Sequence, residues 1–521
     1  MSETAIRRAR RSMVGDALRR AARVHRGRVA LHFADRDWSF AALDTAADRV
    51  ARRYASAGLR PGDRVVAYGR NSDAYLLAWL GCARGGFIHV PANYALSAGE
   101  LAYILRQSGA AALLHDPALA ENAAAAAAET GITRIGTLHG GDGLDILSAA
   151  SAPGDVDPID AGADTDVAQI IYTSGTTGAP KGAALTHDGL IAEYMAVIAE
   201  LDFDRNDRSL AALPLYHVAQ MHAFTMPMLL LGGETWLIEA PQPDVVLDLI
   251  ERHRITSFFA PPTVWITLLR HPDFDRLDLS SLRQVYYGAA IMPVPVLKEL
   301  RARLPGIRPY NCYGQSEIAP LATVLRPEEH DARPASVGRP AITVETRIVD
   351  AEMRDVAPGE QGEIVHRSQH LLVGYWDKPE ETARAFEGGW FHSGDIGVMD
   401  DEGYITVVDR LKDVINTGGV LVASREVEDA LFTHDAVSEV AVIAVPDPKW
   451  IEAIAAVVVL RAGMTATEAA LIAHARATLA PYKLPKRIIF ADSLPKNTAG
   501  KLLKRELRRI YAGTESGALG R

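Results

Sequence analysis

Residues 172–182 read Tyr172-Thr173-Ser174-Gly175-Thr176-Thr177-Gly178-Ala179-Pro180-Lys181-Gly182, between a β-branched run at 167–172 and a helical pattern at 187–200. A serine and two threonines stand among glycines, and a lysine follows. Small residues let backbone N–H groups approach an anion closely, and hydroxyls add donors without bulk, so this loop suits phosphate oxygens. It is not a Walker loop, which needs Gly-Lys followed directly by Ser or Thr. Here Pro180 precedes Lys181 and Gly182 follows it. A plain surface turn needs only two or three such residues, so it accounts poorly for a run this long.

Working outward, short β-branched runs alternate with alanine-rich helical patterns: a strand at 64–68, a helix at 72–84, a strand at 87–90. This alternation predicts an α/β fold of parallel sheets with crossover helices. The alanine tract at 123–128 reads as a surface helix stopped by Gly131, and 151–165, with Pro153, Gly154, Pro158 and Gly162, reads as a loop. The character changes near Asp409, where the charged pentad Asp409-Arg410-Leu411-Lys412-Asp413 begins. Beyond it, Ser424 is expected as an N-cap with Glu426 and Glu428 in the first turn. Strands are expected at 440–445 and 456–460, and a helix at 468–480. The expected division is a domain at 1–409 and a small α+β domain at 410–521.

The chain has 521 residues, roughly three domains' worth at about 150 residues each. Hydrophobic residues at 48% and charged residues at 23% exclude wholesale disorder and a polytopic membrane protein. The 55 basic residues against 65 acidic give a net charge of −10, which argues against a general nucleic-acid binder. Cys82 and Cys312 supply neither a disulfide framework nor a Cys-rich zinc site, so a reducing compartment, the cytoplasm, is expected. Arg7, Arg8, Arg10 and Arg11 are followed by no apolar stretch, so this start reads as a solvated helix rather than a secretory signal. The apolar runs at 226–231 and 454–460 fall far short of the ~20 residues that span a bilayer.

With the loop as anchor, five further motifs follow in order: Pro214-Leu215-Tyr216-His217, Tyr313-Gly314-Gln315-Ser316-Glu317, Trp390-Phe391-His392-Ser393-Gly394-Asp395, the pentad at 409–413, and Pro495-Lys496-Asn497-Thr498-Ala499-Gly500-Lys501. In this set and order the chain resembles the adenylate-forming superfamily, in its acyl-CoA synthetase branch, from about residue 20 to 511. The resemblance implies a large N-terminal domain of layered α/β sheets plus a small barrel-like subdomain, then a mobile C-terminal domain. It also implies ATP, Mg²⁺ and CoA as cofactors and a small carboxylic acid as substrate. By the same resemblance, Thr173, Ser174, Gly175, Thr176, Thr177, Gly178, Lys181, Tyr313, Gly314 and Ser316 bind ATP or AMP, with Thr173 to Thr177 and Ser316 on its phosphates. Glu317 holds Mg²⁺, Lys501 bridges the acid and the α-phosphate, Asp395 and Arg410 take the ribose, and Lys412 is the hinge. Gly288, Ala289 and Ala290 match the segment that lies against adenine and the acyl group, with a tight turn as the lesser reading. His217 reads either as a gate beside the acyl carboxylate or as a buried structural histidine. His222 carries only the structural reading.

A carboxylate is a poor electrophile, and attack on the α-phosphorus of ATP crowds negative charge, so positioned amides, cations and Mg²⁺ are what this reaction needs. Two departures bear on the second half-reaction. Gly418 and Gly419, matching the pantetheine channel, are followed by Val420 and Leu421 where the family commonly has Glu and Asn; and Trp450-Ile451 precedes Glu452 where Gly is common. CoA is the expected acceptor; the alternative is a stand-alone adenylase passing the acid to a carrier-protein thiol or a separate thioesterifying enzyme. The expected acyl pocket spans 216–224, 258–263, 286–290 and 313–319. These regions, with Met221, Phe224, Phe258, Phe259 and the nearby Trp265, hold no lysine or arginine, which favours an apolar acid. A non-catalytic nucleotide-binding protein would have lost Glu317 or Lys501, and both are present.

Overall fold

In the computed structural model the run at 167–172 becomes the strand Val167–Thr173, and it pairs antiparallel with a second strand, Lys181–Thr186, that places Thr173 opposite Lys181. The anion-loop sequence therefore connects two paired strands before the helix His187–Glu200 begins, capped by the Thr186 hydroxyl. The small, apolar Gly182-Ala183-Ala184-Leu185 run can lie against Tyr172, Ile171, Ile170 and Gln169 in register, which makes it strand rather than helix lead-in. The structure describes residues 3–141, 143–154, 156–159, 161–173, 179–290, 292–411, 413–417, 420–447, 451–496 and 502–511.

The α/β expectation holds. A seven-stranded sheet contains the parallel strands Arg64–Tyr68, Ile88–Ala92, Ala112–His115 and Ile135–Thr137, and the Lys181–Thr186 edge is extended by Gly374–Tyr375. A nine-stranded sheet is parallel through its centre, from Val29–Phe33 to Arg308–Gly314, and turns antiparallel at both edges. Helix Asp73–Gly85 is buried on every side, as a helix between two sheets must be, and it is stopped by Gly86 in the left-handed conformation. The alanine tract forms the helix Ala120–Thr130, stopped by Gly131 as expected. Strands Val344–Val349, Gly362–Ser368, Phe391–Met399 and Ile405–Arg410 make a four-stranded sheet where a barrel-like subdomain was expected.

The chain divides into two compact units: 1–346 with 366–391, and 347–365 with 392–521. The smaller contains the antiparallel pair Val437–Asp447 and Ile451–Leu460, with Arg487–Phe490 parallel beside the latter. Ser424 is not the N-cap expected. Ala423 takes that position, and Ser424, fully buried, spends its N–H and hydroxyl on the Asp409 carboxylate at 2.6 and 2.8 Å. The helix expected at 468–480 ends at Ala475, short of Pro481. No helix among the described residues is long and apolar enough to cross a membrane, and Cys82 and Cys312 are both free.

Candidate active site

Glu317 gathers the described part of the site in the larger unit. It sits in the short 3₁₀ turn Ser316–Ile318, which follows the strand Arg308–Gly314. Its side chain is buried, and Oε1 accepts from the Thr173 hydroxyl at 3.2 Å and the Tyr375 hydroxyl at 3.1 Å. Burial, then the Glu317 charge, push the Tyr375 phenol well up, so it remains a donor at neutral pH. The Lys181 ammonium lies 5.0 Å from the centre of the Tyr375 ring. Two strands and the 374–375 edge thus bring an acid, a base and two hydroxyls to the foot of the glycine-rich loop.

The loop's flanks are fixed from helix Ala98–Ser108. Tyr103 donates to the Pro180 carbonyl at 2.8 Å, and Gln107 accepts from the Tyr172 hydroxyl while donating to the Trp376 carbonyl at 2.7 Å. Ser174, Gly175, Thr176, Thr177 and Gly178 themselves lie outside the described residues, as do Lys412, Gly418, Gly419 and Lys501.

Two glycines owe their identity to close backbone approach. A Cβ on Gly314 would stand 1.7 Å from the Pro320 carbonyl oxygen, and one on Gly288 would stand 2.2 Å from that of Cys312. Gly288 ends the strand Gln284–Gly288, and Ala289 follows with φ of 61°, leaving Ala289 and Ala290 exposed at the strand's end. Tyr313 is half-buried against the His366 ring. His217 is half-buried with its ring 4.5 Å from that of Tyr216. His222 is structural: fully buried, it donates from Nε2 to Gln169 and accepts at Nδ1 from the Tyr194 hydroxyl, both at 2.7 Å.

The expected acyl-pocket aromatics separate. Phe258 and Phe259 are neighbours on the strand Ser257–Phe259 and so face opposite ways. Phe259 stacks on Phe224 with centroids 4.1 Å apart, and Phe224 meets Tyr286 at 5.2 Å. Phe258 instead packs on Trp265 with centroids 5.2 Å apart. Met221 and Phe224 ride on a π-helical turn, Ala219–Thr225, a geometry that often marks functional sites.

In the smaller unit Asp395 and Arg410 lie opposite each other on paired strands, and their side chains form an ion pair of 2.9 Å. The Glu363 carboxylate accepts from the Gly394 N–H at 3.1 Å and stands 2.8 Å from His392 Nδ1, which shapes the turn before Asp395. Lys504 contacts Ser424 and Glu428 at 2.6 and 2.7 Å, and Arg508 pairs with Asp413, so the last described helix, Lys504–Tyr511, holds the segment around the expected hinge. Thr417 pairs with Val420, which is exposed, and Glu452 accepts the Asn416 N–H at 2.7 Å.

Sequence reading missed Tyr375, Glu193, His370 and Glu363. A signal existed for Glu193, which falls on the buried stripe Leu190, Tyr194, Val197 of its helix, where an apolar residue is expected.

A family model described as AMP-binding enzyme matches residues 18–376, and that of the AMP-binding enzyme C-terminal domain matches 426–501. The chain belongs to the AMP-binding enzyme family. This AMP-binding enzyme is 40% identical over 473 residues to a feruloyl-CoA synthase of Amycolatopsis, covering 91% of this chain and 94% of that one. It is 35% identical over 482 residues to the long-chain-fatty-acid–CoA ligase FadD13 of Mycobacterium tuberculosis, covering 91% and 93%. Among solved structures it resembles ATP-bound MatB from Rhodopseudomonas palustris, with a TM-score of 0.88, 31% identity and coverage of 96% and 99%.

Proposed function

We propose that this AMP-binding enzyme is an acyl-CoA ligase for an apolar carboxylic acid, forming an acyl adenylate and pyrophosphate from ATP and then an acyl-CoA thioester. The observation that carries the reading is the buried Glu317 carboxylate, held by Thr173 and Tyr375 beside Lys181 at the foot of the hydroxyl-rich loop. One carboxylate beside a phosphate-binding loop is the protein share that Mg²⁺ takes, since it binds through one or two carboxylates plus substrate phosphates and keeps several waters. The Glu317 carboxylate would hold the cation, with Thr173 and Tyr375 fixing its Oε1. Bound there, Mg²⁺ would neutralise charge accumulating on the phosphates.

The chain's own residues do the rest. The hydroxyls and amides of 173–178 orient the phosphates, with Ser316 and Lys181 adding a hydroxyl and a positive charge. Asp395, fixed by Arg410, accepts from the ribose hydroxyls, and Lys501 draws the acid's carboxylate onto the α-phosphorus. Lys412 is the hinge between half-reactions, separating domains at 1–409 and 410–521, and Gly418 and Gly419 border the thiol's path. Phe224, Phe259 and Tyr286 give the acyl group an apolar wall. The relatives' activities favour CoA over a carrier protein as acceptor. Two free cysteines agree with a cytoplasmic setting.

The half-reactions can be separated. Lys501→Ala is expected to abolish acid-dependent pyrophosphate release while thiol transfer from supplied acyl adenylate persists; equal loss of both contradicts this division. Val420→Glu with Leu421→Asn tests whether these departures weaken CoA turnover, and an unchanged rate retires that reading. A panel of aromatic and aliphatic acids, with and without CoA and with mass analysis of the product, names the acid and the acceptor.

A further inference from the structure

A buried acid–imidazole pair, Glu193 and His370, contacts the backbone of the segment that carries Glu317. Glu193, on helix His187–Glu200, is fully buried, and its Oε1 accepts the Leu321 N–H at 3.0 Å. His370 is equally buried. Its Nδ1 lies 2.7 Å from Glu193 Oε2 and 2.9 Å from the Ile318 carbonyl oxygen, and its Nε2 lies 3.0 Å from the Thr343 hydroxyl. The Ile318 oxygen can only accept, so Nδ1 carries a proton and donates. Two residues along, the Leu372 N–H donates to the Glu317 carbonyl at 2.7 Å. The 316–321 turn is thereby pinned at residue 317, at 318 and at 321, the latter two by the Glu193–His370 pair.

We propose that Glu193 and His370 are positioning residues that fix the 316–321 turn, and through it aim the Glu317 carboxylate at the metal–phosphate site. The inference rests on the Glu317 assignment above. Burying a carboxylate and an imidazole is unfavourable unless their hydrogen bonds are made, so a pair placed here serves geometry that apolar packing would not impose. Burial pushes the Glu193 carboxyl up, and His370 opposes that shift, consistent with mutual dependence.

Glu193→Gln tests this with little change of volume. The amide oxygen can still receive the Leu321 N–H, but an NH₂ replaces the Oε2 that lies 2.7 Å from Nδ1, so the imidazole loses its acidic partner and its hold on Ile318 weakens. The expected result is an about tenfold rise in half-saturating Mg²⁺ for pyrophosphate release, with the acid KM within about twofold of wild type. In nucleotide-free protein, amide hydrogen exchange in peptides covering 316–325 should quicken about tenfold, while peptides covering 437–460 stay unchanged. His370→Gln, which keeps an N–H donor, should be milder on both measures than His370→Leu. Wild-type exchange over 316–325 in Glu193→Gln overturns the proposal, and so does faster exchange with an unshifted Mg²⁺ titration while Glu317→Ala shifts it. If Glu193→Gln does not fold, equal Mg²⁺ and exchange behaviour of the two His370 variants overturns it. An unshifted titration in Glu317→Ala would sink the metal reading of Glu317 instead, and the exchange result alone then decides whether the pair fixes the turn.

Discussion

Glu317 and Asp395 are both acidic residues in short motifs that carry serine and glycine, yet they are held in place by different means. Asp395 is fixed locally: its strand partner Arg410 supplies the counter-charge, and Ser393 accepts the Asp395 N–H at 3.0 Å. Among the described residues Glu317 has no such cross-strand arginine. Its carboxylate takes hydroxyls from residues 144 and 58 positions away, and its turn is braced from Glu193 and His370. A charge held by an opposite charge is fixed strongly at one atom, whereas a charge held by neutral hydroxyls keeps more of its own field for a ligand. The contrast fits a ribose contact in one place and a cation ligand in the other.

The largest expected effect separates the two acids. Glu317→Ala should lower kcat/KM for pyrophosphate release by ~10²-fold or more and flatten the Mg²⁺ titration, since one preorganised electrostatic contact is worth that much. A normal titration would break the comparison. Asp395→Ala should raise the KM for ATP about tenfold with the Mg²⁺ response intact, leaving Arg410 without its partner. A shift in metal response instead would show that the two acids do not divide the work. Tyr375→Phe removes one of the two described donors to Glu317 and should cost about three- to tenfold at limiting Mg²⁺ and little at saturation.

Smallest at neutral pH is the effect of the buried histidines of the larger unit. Burial pushes His89, His222 and His366 down to about 3 from 6.5. Above about 6.5 they are neutral folded or unfolded; below it the unfolded chain binds protons that the folded unit refuses until about 3, so stability falls across that window as pH drops. In the smaller unit His434 and His474 are both only half-buried. Acid unfolding followed by tryptophan fluorescence and by hydrogen exchange should therefore melt the larger unit first; simultaneous loss of both would argue against this.

The same contrast explains what sequence could reveal. Asp395, Arg410, Glu317 and Lys181 stood out because each lies in a short motif that carries the family resemblance. The α/β architecture was legible from alternation, and the helix at 120–130 from alanine propensity and its glycine stop. The strand at 181–186 was not, because a Gly-Ala-Ala-Leu run has no period of its own and takes its form from its partner strand. Tyr375, Glu193 and His370 were hidden for a related reason, since they reach Glu317 through the fold across 53 to 124 positions of chain. Phe258 and Phe259 are indistinguishable in sequence, and only strand alternation turns the first toward Trp265 and the second toward Phe224.

The central claim is that ATP converts an organic acid to a mixed anhydride with AMP. Incubating the full-length protein with α-³²P-labelled ATP, Mg²⁺ and a panel of apolar acids, without CoA, tests it most directly. The account predicts acid-dependent labelled acyl adenylate in step with pyrophosphate, discharged to AMP when CoA is added. No labelled adenylate with any acid, or ADP in place of AMP, would contradict it.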